Sequence, residues 1–320
     1  MKLIQSILAV GLLTISLSCD TDTTQNATVS EKTVTPSTMA VTPKRFLFDA
    51  TKAETAGNAD WVLDADTSPQ RLPTPLQSTI TATTPETYWR GGLSAWGIAL
   101  VKLGHKVETL PSGTAITYGG TGAQDLKNYD VYVVDEPNIR FTAAEKTALI
   151  NFVKNGGGLF MIADHTVSDR NNDGWDSPAI WNDLMSTNTV KANPFGITYT
   201  LNNFSETTSN RLTATTNTIL NGTQGVVTQL KYSAGASMTI NTTANTTAQG
   251  LIWRSTSTKG TSNIMVATAT YGTGRVVAIG DSSPADDGTG ASGDTLYPGW
   301  TELASHSRLH MNASLWLAKL

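Results

Sequence analysis

The chain has one cysteine, Cys19, in 320 residues. With no second thiol there is no disulfide, and beyond residue 19 there is no thiol nucleophile. Stability has to come from a buried core. Charged residues make up only 15% of the chain, the net charge is −4, and Lys and Arg nowhere form a run. Nucleic acid needs a concentrated basic surface, so it is excluded as a partner. Histidine is scarce too, at four residues. After residues 3–17 there is no long apolar run, and that one is too short and too early for a spanning helix.

Lys2, the apolar stretch 3–17 and Ser18-Cys19 read as a secretory signal ending at a lipid-accepting cysteine. The expected organisation is a lipoprotein signal peptide at 1–19, a flexible Thr/Ser-rich tether at 20–43 and a single domain at 44–320. The expected location is the bacterial cell envelope, periplasmic or surface-exposed. The lipid bilayer is then a partner through Cys19.

Short apolar runs at 45–49, 131–135 and 159–163 have the continuous character of strands buried on both faces. Helical spacing over 92–103 stops at Gly104, and Thr142 with Glu145 makes a capping box that opens a helix ending before Gly156. Strand and helix alternate, which predicts an α/β fold built from βαβ units. Residues 195–260 instead alternate Thr, Val, Ile and Leu between glycine turns, the pattern of an antiparallel β-rich insertion. A hairpin turning at 271–274 and a helix from about Trp300 to Leu317 complete the chain.

The strand at 159–163 empties into Asp164 and His165, at the end of a sheet where α/β folds bind ligands. Beyond it, Asp169, Asn171 and Asp173 alternate before Gly174, as at the opening of a calcium loop. The acid expected twelve residues from the start is missing: Ile180 stands there, and Asp176 or Asp183 is the substitute. Asp164, His165, Asp169, Asn171, Asp173 and Asp176 are thus candidate ligands for a divalent cation, calcium or zinc. The alternative is a loop of Asx turns closed without an ion. His165 also fits a general base whose tautomer is fixed by a neighbouring carboxylate. His306 and His310 share a helix face without the acid of a zinc helix; His306 is the candidate proton shuttle and His310 a structural residue. Asp281, at the end of a later strand, is a further catalytic candidate, and Ser282 beside it an alternative nucleophile that lacks an Asp-x-x-His partner. Asp49 and Glu54, after the first strand, and Trp175 are candidate substrate contacts.

The strand ending at Asp135, the capped helix, the turn from Phe152 to Gly158 and the strand after it resemble the class I glutamine amidotransferase-like superfamily, over about 44–165 and 264–320. The resemblance implies a flavodoxin-like three-layer sandwich with a mostly parallel sheet. Members with glutaminase activity carry a nucleophilic cysteine after a strand, and this chain has none there. The expected function is an extracytoplasmic metal-assisted hydrolase of carbohydrate or another small molecule, with His165, His306 and Asp281 converging on one pocket. The competing reading is a non-catalytic glycan- or ligand-binding surface lipoprotein whose calcium-stabilised loop presents Trp175 and Trp181.

Overall fold

The computed structural model describes residues 42–65 and 77–320, so Cys19, the signal and nearly all of the tether lie outside the described residues. Four short strands come first: β1 (Arg45–Asp49), β2 (Lys106–Leu110), β3 (Val131–Asp135) and β4 (Gly158–Ile162). Helix α1 (Ser94–Lys102) precedes β2, and α2 (Ala143–Lys154) precedes β4. After α3 (Ser177–Thr187) come β5 (Ile197–Tyr199), β6 (Phe204–Thr208), β7 (Asn221–Gly222), β8 (Gly225–Val226), β9 (Leu230–Gly235), β10 (Met238–Ile240) and β11 (Gln249–Trp253). The hairpin β12 (Ile264–Tyr271) and β13 (Gly274–Ile279) follows, then α4 (Gly299–Glu302) and α5 (Ala304–Leu317).

The main sheet runs β2-β1-β3-β4-β13-β12-β10-β5, with β11 also paired to β12. β1, β2, β3, β4 and β13 are parallel, and β12, β10 and β5 extend them antiparallel. Side chains alternate along each strand. Phe46, Phe48, Val133 and Phe160 therefore pack with Trp96 and Leu309 of α1 and α5. Leu47, Tyr132, Val134 and Met161 pack on the other face with Leu149, Val153 and Trp181 of α2 and α3. The result is a flavodoxin-like three-layer sandwich. Every residue of β3 and β4 is buried, which is why those runs carry no polar alternation.

The expected antiparallel insertion is present: β5, β10 and β11 join the main sheet, and the β6–β9 and β7–β8 pairs stand apart. They close the edge that β12 would otherwise leave open. The last helix is broken at Leu303, which is extended at φ −127° and ψ 124°, and the break leaves the Gly299 carbonyl to a side chain described below. The capping box forms as expected, with Thr142 accepting from the Glu145 N–H and the Glu145 carboxylate accepting from the Thr142 N–H.

Gly280, directly after β13, is where the insertion touches the strand ends. A Cβ there would lie 1.8 Å from the Ala236 carbonyl oxygen, while the Gly280 N–H donates to the Tyr232 hydroxyl at 2.8 Å. Gly280→Ala is expected to destabilise the fold by about 3 kcal/mol or more, and Thr142→Ala by about 1 kcal/mol. Urea denaturation of both variants checks the order; equal losses would mean that the insertion yields at Ala236.

Candidate active site

β4 lies between β3 and β13, and the register sets Asp135 and Ile279 beside Ile162. Parallel neighbours end at one edge, so Asp135, Glu136, Asp164 and Asp281 emerge together. All four are at most 3% exposed. Both Asp135 carboxyl oxygens lack a hydrogen-bond partner. Burial, then Glu136, Asp281 and Asp286, push that carboxyl well above the usual range, against the pull of Arg170. Asp164 is also pushed well above it, by burial and then by Glu136 and Asp281. Burial raises Asp281 to about 7, even though its oxygens accept from the Ser283 N–H at 2.9 Å and from the Ser233 N–H.

Glu136 is the hub. Its backbone sits at φ 46°, a left-handed conformation uncommon for a side chain of this size and found where surrounding contacts enforce it. Its carboxylate accepts from Arg170 Nε at 2.5 Å and Nη2 at 3.1 Å, from Ser168 Oγ at 2.6 Å and from Ser282 Oγ at 3.1 Å. Arg170 also donates to Asp164 Oδ2 at 3.1 Å and to Asn58 Oδ1 at 2.8 Å. Ser282 is buried and its hydroxyl is spent on Glu136, so it is not presented as a nucleophile. The Tyr297 hydroxyl, half-buried on the loop before α4, is raised by burial and feels Arg170, Asp164, Asp281 and Asp286.

The sequence-expected residues divide. His165 is half-buried, and its Nδ1 lies 2.6 Å from the Thr166 carbonyl oxygen. A carbonyl only accepts, so Nδ1 carries the hydrogen and Nε2 presents its lone pair. The tautomer is thus set by Thr166; Asp164 instead accepts from the His165 backbone N–H at 2.9 Å. His306 does not fit a proton shuttle. Its Nδ1 donates to the Gly299 carbonyl freed by the helix break, at 2.7 Å, and its Nε2 accepts from the Lys231 N–H at 3.0 Å. Burial lowers its pKa. Its ring walls a cavity of about 100 Å3 that Tyr297 and Ser283 also line, and Asp164, His165 and Asp281 are not among the residues lining it. His310, buried to a pKa of about 3, packs against Trp96 and Phe160 and is structural.

The 169–176 loop closes on itself. Asp169 accepts from the N–H groups of Asp173 at 3.0 Å and Gly174 at 2.7 Å, and Asp173 accepts from Trp175 N–H at 2.9 Å and Asn171 Nδ2 at 3.1 Å. Asp176 caps α3 through the Ala179 N–H and ties back to Val167. Among the described residues, no three His, Cys, Asp or Glu side chains stand in a metal-holding arrangement. Asp49 and Glu54 are buried after β1, as the strand-end carboxyls are. Trp181 is a core residue donating to the Ile162 carbonyl at 2.9 Å, and the Trp175 ring is covered by Arg140 at 4.0 Å. The expected aromatic platform is not formed. Asp135, Glu136, Arg170 and Tyr297 are candidate site residues that the sequence reading does not single out. The signal for the first two was present, since 131–135 is an apolar run that ends in acid as 159–164 does.

No protein-family model matches the chain, and no curated protein matches it. Among solved structures, the mmIFT52 N-terminal domain is similar at TM-score 0.52 and 13% identity, covering 85% of this chain and 97% of that one. The cytoplasmic protein STM3548 from Salmonella typhimurium aligns at TM-score 0.47 and 13% identity, over 86% of this chain and 98% of its own. A ThuA-like protein from Bacteroides uniformis aligns at TM-score 0.46 and 13% identity, over 88% and 95%. At such identities the likeness extends to the fold alone, a mostly parallel α/β sandwich with added antiparallel strands.

Proposed function

We propose that the chain is a hydrolase acting on carbohydrate or another polar small molecule by acid–base chemistry at the carboxyl edge of the sheet. The observation that carries this is the row of strand-end carboxyls, Asp135, Asp164 and Asp281, buried side by side around one arginine. Such groups keep protons to near-neutral pH, where a carboxylic acid is an effective proton donor. His165 Nε2 accepts the proton of an attacking water. Asp164, next to it and raised by burial and by Glu136 and Asp281, gives its proton to the departing oxygen as the bond to that oxygen breaks. The Arg170 guanidinium, bonded to Asp164, stabilises the negative charge that develops there. Asp281 acts on Asp164 through its charge, as a positioning residue.

A divalent cation, calcium or zinc, stays as a separate proposal for the 164–176 segment. Its support is the set of Asp and Asn oxygens on that loop. A cation bound to the folded chain stabilises it by about 2.7 kcal/mol at a hundredfold excess over Kd, so thermal melts with calcium, zinc and EDTA decide it.

The hydrolase reading is tested on a panel of chromogenic glycosides and esters. His165→Ala and Asp164→Asn are expected to lower kcat by about 10²–10⁴-fold. His306→Ala is expected to spare kcat and to destabilise by about 1–3 kcal/mol, because it strands the Lys231 N–H and the Gly299 carbonyl. No turnover of any substrate, or loss of kcat only in the His306 variant, would sink the assignment.

The protons also predict an unusual pH dependence. Asp281 and Asp286 are raised to about 7 and Asp287 to about 6, chiefly by burial, against about 3.9 in an unfolded chain. Between those values the folded state holds protons that the unfolded state has released, so stability falls as pH rises. The contribution is complete below about pH 4 and is lost through pH 6–7. Melting temperatures should therefore decline from pH 5 to pH 8; a flat or rising profile would show that these carboxyls are ionised in the fold.

A further inference from the structure

The edge of the sheet opposite the carboxyl cluster carries a cavity that the hydrolase reading does not use. It holds about 570 Å3, a volume that suits a small ligand. Leu103 and His105, on its wall, stand just before β2 starts, and the carbonyl of Trp316, also on its wall, accepts from Arg275 near the start of β13. Leu315 and Leu320 complete an apolar lining, of which Leu103 and Leu320 are 38% and 50% exposed. Two polar side chains there bring no charge. Asn312 is spent on backbone: its Oδ1 accepts from the Gln224 N–H at 3.0 Å, and its Nδ2 donates to the carbonyls of Ile219 at 3.1 Å and Gly225 at 2.9 Å. His105 accepts from the Lys44 N–H through Nδ1 at 3.3 Å, and burial lowers its pKa, which keeps the ring neutral.

Positive charge stands next door. A second cavity, of about 280 Å3, shares Leu103 and Gln224 with the first and is lined by Lys102, Arg308 and Glu86. Glu86 is occupied, since its carboxylate accepts from Trp300 Nε1 at 3.0 Å. Lys102, at the end of α1, is exposed. Arg308 gives Nη1 to the Val226 carbonyl at 3.2 Å, and its planar fork suits a carboxylate. We propose that the two cavities form one site for a single-chain alkyl carboxylate, with the chain in the apolar cavity and the head beside Lys102 and Arg308. An alkyl cation would meet like charge there, and an uncharged chain would leave both cations unused. The shared wall at Leu103 and Gln224 is what lets one ligand reach both. The site stands apart from any hydrolase chemistry, because it lies at the other edge of the sheet.

The test is calorimetric titration of the full chain with octanoate, decanoate and dodecanoate below micelle-forming concentrations. One molecule is expected to bind per chain, and each pair of added methylenes should tighten Kd about tenfold. Dodecyltrimethylammonium, equal in chain length and opposite in charge, should bind about tenfold or more weakly than dodecanoate. Lys102→Gln combined with Arg308→Gln should weaken dodecanoate about tenfold and leave decanol binding unchanged, which separates head from chain. Leu103→Glu, which sets a carboxylate where the cavities join, should weaken all three carboxylates. These side chains lie at the surface, and unchanged melting temperatures without ligand show that the variants fold. No binding of dodecanoate at millimolar concentration would overturn the proposal. So would affinity indifferent to chain length, equal binding of the trimethylammonium compound, or a dodecanoate Kd that the double variant leaves unmoved.

Discussion

Carboxyl groups that leave water must be paired or protonated, and at the carboxyl edge of this sheet they outnumber the cations that pair them. Parallel strands cause the crowding. β3, β4 and β13 all end at the same edge, so acids placed at their ends are brought together whatever their separation in sequence. Among the described residues Arg170 is the one guanidinium that bonds to this row, and it is already divided among Glu136, Asp164 and Asn58. Everything else there follows from the shortage: the raised carboxyls, the strained Glu136 backbone turned beneath the arginine, and the hydroxyls of Ser168 and Ser282 drawn in as donors.

Much of the fold was legible because its signals are local. The glycine-bounded run at 159–163, the Thr142–Glu145 box and the 271–274 turn each fix an element without help from distant residues. The break at Leu303 was not legible, since its cause is tertiary: Gly299 and Lys231 hold opposite sides of the His306 ring. Nor was the fate of the insertion, whose alternating strands would suit a separate hairpin as well as an extension of the main sheet.

The site was half legible. Asp164, His165 and Asp281 follow from the rule that chemistry sits where apolar strands end, and the same rule applied to 131–135 would have found Asp135 and Glu136. Histidine roles were harder to read, because a ring nitrogen is defined by its partner. The sequence shows His165 and His306 as equals; one offers a lone pair while the other is held on both sides by backbone. The alternation of Asp169, Asn171 and Asp173 was likewise ambiguous, since oxygens spaced to surround an ion are also spaced to accept the N–H groups of their own turn.

The position of β13 bears on how the molecule is made. β4 ends at residue 162 and its parallel neighbour begins only at residue 274, so for more than a hundred residues of emerging chain β4 has one open, wholly apolar edge. Such an edge is a template for mispairing, and contacts so far apart in sequence form slowly. A shortened or stalled chain would therefore lack Asp281 and at the same time be prone to aggregate. Keeping the nascent chain unfolded or bound until β13 arrives is a demand that this topology places on the cell.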